Sequence, residues 1–318
     1  MTASAAPAPT LGARPFLAIL LKMVSVTVFV GMSTAIKLAG PVATGQIVFY
    51  RSLFAIVPIL IFLAVRGELA SGMRTRRPWG HVLRGVIGVS SMGLGLFALT
   101  RLPLPEVITL NYCQPLIVVA LSALFLGETV RVYRWSAVAV GLLGVVIVAW
   151  PKLTLFTGAQ AMHSDEAMGV VALFLGALIS GFAMLAVRQL VVTEASATIV
   201  LWFSVTCAVC ALATFPFGWS QLTNWQVAFL VGAGLCGGVG QILMTESYRH
   251  GDMSIIAPFE YTSMIFAIIV GYYVFGEPPT IYTLVGGAIV IAAGIFIVLR
   301  EHRLGLERGR ARRLTPLQ

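Results

Sequence analysis

The chain has 318 residues, 58% of them hydrophobic and only 10% charged, whereas ordinary soluble domains carry roughly a quarter charged residues. A soluble core of this length cannot hide so much apolar surface, which excludes a soluble enzyme or binding domain and points to lipid as the solvent. The net charge of +9 is no nucleic-acid signature, because no segment is polar enough to build a basic face on a soluble domain.

A membrane helix needs about 20 mostly apolar residues. In chain order such runs fall near 16–38, 43–65, 80–100, 104–126, 132–150, 167–188, 197–216, 225–247, 254–275 and 280–299. Residues 1–15 are rich in Ala, Pro and Thr, lack the pattern of a signal peptide, and read as a disordered cytoplasmic tail. Arg66, Arg74, Arg76 and Arg77 lie between the second and third runs, and Arg131 and Arg134 between the fourth and fifth. Arg300, Arg303, Arg308, Arg310, Arg312 and Arg313 follow the tenth. The alternate loops hold only Arg101 and Lys152. This asymmetry predicts both termini in the cytoplasm, and an even number of spans agrees with it.

The chain repeats itself. The stretch from Ala98 to Glu128 ends Phe125-Leu126-Gly127-Glu128, and a related stretch from Ser247 ends Val274-Phe275-Gly276-Glu277. Tyr112 falls on Tyr261 and Asn111 on Glu260. A repeat this long sets the architecture. An odd number of spans separates the copies, so the second crosses the bilayer upside down, as in many secondary transporters. The expected fold class is an all-α membrane protein of about ten transmembrane helices in two inverted five-helix repeats. The repeats would occupy 16–151 and 167–300, with a connecting loop at 152–166 and a basic cytoplasmic tail at 301–318.

Phe49-Tyr50-Arg51, Leu83-Arg84-Gly85, Pro115 and the two Gly-Glu span ends, in this order, resemble the EamA-type branch of the drug/metabolite transporter superfamily. The resemblance covers about residues 16–300. It implies a central cavity lined mainly by helices one, three, four, six, eight and nine, and transport of small metabolites without ATP. Met264 departs from the pattern, standing where the first half has Pro115. Leu83-Arg84-Gly85 with the following Gly88 resembles members that move riboflavin or S-adenosylmethionine, while relatives move amino acids and other solutes.

Charged and polar residues inside spans are the informative ones, because a charge at the bilayer centre costs about 2.5–3.5 kcal/mol on insertion scales. Glu260, beside Tyr261, is a candidate for substrate binding or proton coupling, or for a structural interhelical bond. Asn111, Tyr112 and Gln114 precede Pro115, whose ring frees the Asn111 carbonyl for substrate or water. Gln241 is a further cavity candidate. Arg51 and Arg84 read as structural or anion-holding. Glu128 and Glu277 close their spans, where capping explains them.

Other motifs carry less. Gly232-x-Gly234-x-x-Gly237 matches a dinucleotide fingerprint but lies inside an apolar run, where Gly234 and Gly238 read as close helix packing. No Gly-x-x-x-x-Gly-Lys-Ser/Thr occurs, so this chain has no P-loop. Cys207 and Cys210 read as buried thiols, and the scattered histidines suggest no metal site. The expectation is an inner-membrane secondary transporter working by alternating access, with no cofactor, no nucleic-acid partner and a possible homodimer. A membrane-embedded lipid-modifying enzyme is the rival of another class.

Overall fold

A computed structural model describes residues 15–114, 117, 132–150, 165–191, 193–250 and 257–314, all in helices and short connections. Ten main helices are α1 (Pro15–Leu38), α2 (Thr44–Val65), α3 (Pro78–Leu99), α4 (Leu104–Asn111), α5 (Val132–Ala149), α6 (Asp165–Val191), α7 (Ser196–Leu212), α8 (Asn224–His250), α9 (Thr262–Phe275) and α10 (Ile281–Leu314). A one-turn helix, Leu69–Met73, joins α2 to α3, and a 3₁₀ turn, Ala257–Tyr261, leads into α9. Among the described residues, five helices are long and apolar enough to cross a membrane by length and composition, and four shorter apolar helices accompany them. Pro115, Gly127, Glu128, Arg131, Lys152 and His163 lie outside the described residues.

The packing has the symmetry the repeat demands. α1 lies on α8 and α6 lies on α3; α2 lies on α8 and α7 lies on α3. α2 meets α7, α4 meets α9 and α5 meets α10. Advancing every first-half helix by five, and moving every second-half helix back by five, reproduces the same set. Five crossings separate each helix from its equivalent, so the two sets run in opposite directions through the bilayer.

Small residues set the close approaches. A Cβ on Gly234 would stand 3.0 Å from the Tyr50 carbonyl oxygen, and one on Gly238 2.5 Å from that of Ala55. The Gly-x-x-x-Gly of α8 is therefore a contact strip against the α2 backbone, and no phosphate loop. α5 and α10 touch the same way, with a Cβ on Gly286 2.4 Å from the Gly144 carbonyl oxygen.

The Phe-Gly-Glu that ends the second repeat has a local cause. Gly276 takes φ +65°, a left-handed conformation that stops α9, and the Glu277 N–H then donates to the Gly271 carbonyl. The turn aims the Glu277 carboxylate back into the protein. There it pairs with Lys37 at the end of α1 and accepts from the Leu104 N–H at the start of α4 at 3.1 Å. Lys37 also donates to the Leu102 carbonyl at 3.0 Å. One capping residue thus ties together three segments at one end of the bundle.

Candidate functional site

Regular helix stops at the same repeat position in both halves. α4 ends at Asn111 with Tyr112 as its cap, and α9 begins at Thr262 with Tyr261 as its cap. The two tyrosines, equivalent by sequence, meet: their rings stand edge to face with centroids 5.0 Å apart. Equivalent residues can touch only at the pseudo-two-fold axis, so this contact marks the centre of the molecule. The Tyr112 hydroxyl also hydrogen-bonds the Ser263 hydroxyl and donates to the Tyr261 carbonyl at 3.4 Å. The Tyr261 hydroxyl occupies the space a side chain at Gly294 of α10 would fill.

Glu260 sits next to this contact and is 54% exposed. Its carboxylate accepts from Lys22 of α1 at 3.1 Å, and the Lys22 side chain is 1% exposed. Sequence reasoning misses Lys22, although a lone lysine in the middle of an apolar run is itself the signal. Gln114 reaches across to the second repeat and donates to the Ser180 hydroxyl of α6 at 2.6 Å. Asn111 is exposed one residue before the tyrosine contact. Asn111, Tyr112, Gln114, Glu260 and Tyr261 therefore gather around the axis.

Gln241 lies elsewhere. A cavity of about 290 Å³ opens among α2, α7 and α8, lined by Phe62, Arg66, Glu194, Val200, Gln241 and Glu246 among others. Of the helices that the resemblance implies as cavity walls, it shares α8. At the described part of the axis stand the two tyrosine rings, with the Lys22–Glu260 pair beside them. Arg66 crosses the cavity mouth to Glu246 at 3.0 Å and lies over the Phe62 ring.

Glu194, in the loop between α6 and α7, is fixed firmly. Its carboxylate accepts from the Thr75 hydroxyl and the Arg76 N–H, both at 2.9 Å, and stands 4.0 Å from His81. Burial pushes its acidity down, but these donors, the His81 charge and the Arg77 N–H outweigh that and leave its pKa below the usual carboxylate value.

Arg51 and Arg84 are held by other partners. Arg51 contacts the Met92 sulfur of α3, and the Arg84 guanidinium lies 3.7 Å from the centre of the Phe203 ring of α7. Among the described residues, no group of three or more His, Cys, Asp or Glu is placed to hold a metal ion.

Ten helices in two opposed sets, with polar residues collected where the sets meet, define a multi-pass membrane transporter of small molecules. The EamA-like transporter family matches residues 16–150 and 167–300, and the chain belongs to that family. It is 26% identical over 260 residues to an S-adenosylmethionine uptake transporter of Rickettsia felis, covering 81% of this chain and 84% of that one. It is 30% identical over 270 residues to a riboflavin transporter of Rhizobium johnstonii, covering 84% of each. It is 28% identical over 285 residues to the pseudopaline exporter CntI of Pseudomonas aeruginosa, covering 87% and 94%. A solved crystal structure superposes with a TM-score of 0.63 over 89% of this chain and 97% of that one, at 18% identity, which speaks to the fold alone.

Proposed function

We propose that the protein sits in a bacterial inner membrane with both termini cytoplasmic and imports a vitamin- or cofactor-like metabolite such as S-adenosylmethionine or riboflavin. The observation that carries this reading is the contact of Tyr112 with Tyr261 on the pseudo-axis, flanked by the Lys22–Glu260 pair. Solute would cross the centre of the molecule here, with Asn111, Gln114 and Glu260 supplying hydrogen bonds. Displacing the two rings separates the halves, so occupancy of the axis and rocking of the bundles are one event. Likeness to an S-adenosylmethionine uptake transporter and to a riboflavin transporter supports import of a cofactor-like molecule. The similar coverage of an exporter keeps export of a metabolite as the second reading. The solute leaves unaltered, since the reading is transport and not chemistry.

Glu260 would carry the coupling. A proton on its carboxylate weakens the bond to Lys22, which links protonation to the α1–α9 contact. In proteoliposomes, Glu260→Gln should abolish proton-driven uptake and leave counterflow exchange. Retention of proton-driven uptake would remove Glu260 from the coupling step. A thermal-shift panel of flavins, purines, amino acids and S-adenosylmethionine on purified protein identifies the solute by raised stability. The same preparation tests the proposed homodimer by its mass in detergent.

A further inference from the structure

Two arginines inside the membrane-spanning helices keep N–H groups that no partner among the described residues meets. The Arg51 Nε and the Arg84 Nε and Nη1 are buried with no hydrogen-bond partner among the described residues. No ion pair reaches either arginine among the described residues. The Ser52 hydroxyl is likewise buried with no hydrogen-bond partner among the described residues. The Arg51 guanidinium touches Met92 of α3, two helical turns along from Arg84. Arg51 arrives from α2 and Arg84 from α3. Gly88 makes room for the second: a Cβ there would stand 2.6 Å from the Phe203 ring and 3.0 Å from Arg84 Nη1.

This cluster lies on the inward continuation of the cavity. The cavity is lined by Ile59 and Phe62 of α2, Val200 of α7 and Gln241 of α8. One to three turns further along the same helices come Arg51, Phe203 with Cys207, and Gly237. A Cβ on Gly237 would stand 3.9 Å from Arg51 Nε. Three cavity walls therefore run toward the two arginines.

An arginine keeps its proton, so it cannot escape burial by becoming neutral. Two of them, with open N–H donors and no carboxylate, call for an anion. Guanidinium geometry matches a carboxylate, whose two oxygens accept several N–H bonds at once. We infer that Arg51 and Arg84, with Ser52, form a site for the carboxylate of the transported solute, reached through the cavity between α2, α7 and α8. The site rests on the transporter reading only for where its anion comes from. Between the two solutes named above it selects S-adenosylmethionine, which bears a carboxylate, over riboflavin, which bears none.

Bromide tests the site without reference to any solute. Crystals of the wild-type protein soaked in sodium bromide should show an anomalous peak shared by the two guanidinium groups, and Arg84→Gln should lose it. No wild-type peak there overturns the site. Uptake then decides the source of the anion. In proteoliposomes, Arg51→Gln and Arg84→Gln should raise the KM for S-adenosylmethionine at least about tenfold with kcat largely kept. Arg84→Lys should recover part of it, because a cation without the planar fork remains. A bromide peak with unchanged KM in both glutamine variants overturns assignment to the solute and leaves an adventitious ion only. Failure of the wild type to move either solute counts against the transport reading alone, since the bromide result stands apart from it.

Discussion

Lys22 shows how one side chain decides what another can do. An ammonium in lipid costs several times the thermal energy, and Lys22 is 1% exposed, so it persists only with acceptors such as Glu260 beside it. The pair accounts for why both charges are tolerated, and neither is intelligible alone. Sequence made Glu260 visible through its place opposite Asn111 in the repeat, but the pairing spans 238 positions and depends on which helices meet. Sequence marked Arg51 and Arg84 as structural or anion-holding, but which of their N–H groups lack a partner among the described residues depends on the folded neighbourhood. Glu194 gives a pH test at this scale. Its pKa is depressed in the folded protein, so its contribution to stability is complete above the unfolded value of about 4.3 and is lost as pH falls through the lower folded value. Between about pH 6 and pH 3 the unfolding midpoint of the wild type should therefore drop more than that of Glu194→Gln. At about pH 6 the variant should be less stable by about 1 kcal/mol, the worth of a lost hydrogen bond. Equal pH slopes for the two proteins would show that the carboxylate is not held as described.

Several helix boundaries were legible to within a few residues, because runs of apolar residues of membrane length leave little choice, although α10 continues to Leu314 past the expected 299. α1 and α2 match the expected 16–38 and 43–65 within a residue at the ends. The change to 3₁₀ form over Ala257–Tyr261, where a continuous span from 254 was expected, was not legible. Hydropathy does not distinguish 3₁₀ from α geometry, and Pro258 gives only a hint. The glycines of α10 show why small residues recur at given positions. At Gly294 an added methyl group would overlap the Tyr261 hydroxyl, whereas at Gly31 of α1 it would meet nothing within 4 Å. Gly294→Ala should therefore lower stability by about 1–3 kcal/mol and disturb the tyrosine contact. Gly31→Ala should be neutral or stabilise by up to about 1 kcal/mol, through helix propensity alone. Thermal unfolding in detergent compares them, and equal effects would mean that Tyr261 does not lie against α10.

At the scale of the whole molecule, the repeat was the most informative feature of the sequence. It implied two opposed sets of five helices, and the most extensive contacts between helices obey that exchange. The axis was legible through Tyr112 and Tyr261, while the cavity was not, since its walls come from helices distant in sequence. The proposed topology makes a direct prediction. A cysteine placed at Pro278 should react with an impermeant thiol reagent in intact cells, and one at Arg74 only in inside-out vesicles. Labelling of both from the same face would refute the opposed arrangement. The last helix adds a consequence of its own. α10 runs unbroken for 34 residues, about 50 Å, so it outlasts any bilayer core and carries its arginines beyond the lipid as one rod. Such a rod is a lever whose free arm measures roughly 20 Å, and a lean of about 10° at its base sweeps the tip through roughly 3–4 Å. A spectroscopic label on that tip would turn each half-cycle of the membrane-embedded part into a movement readable in water.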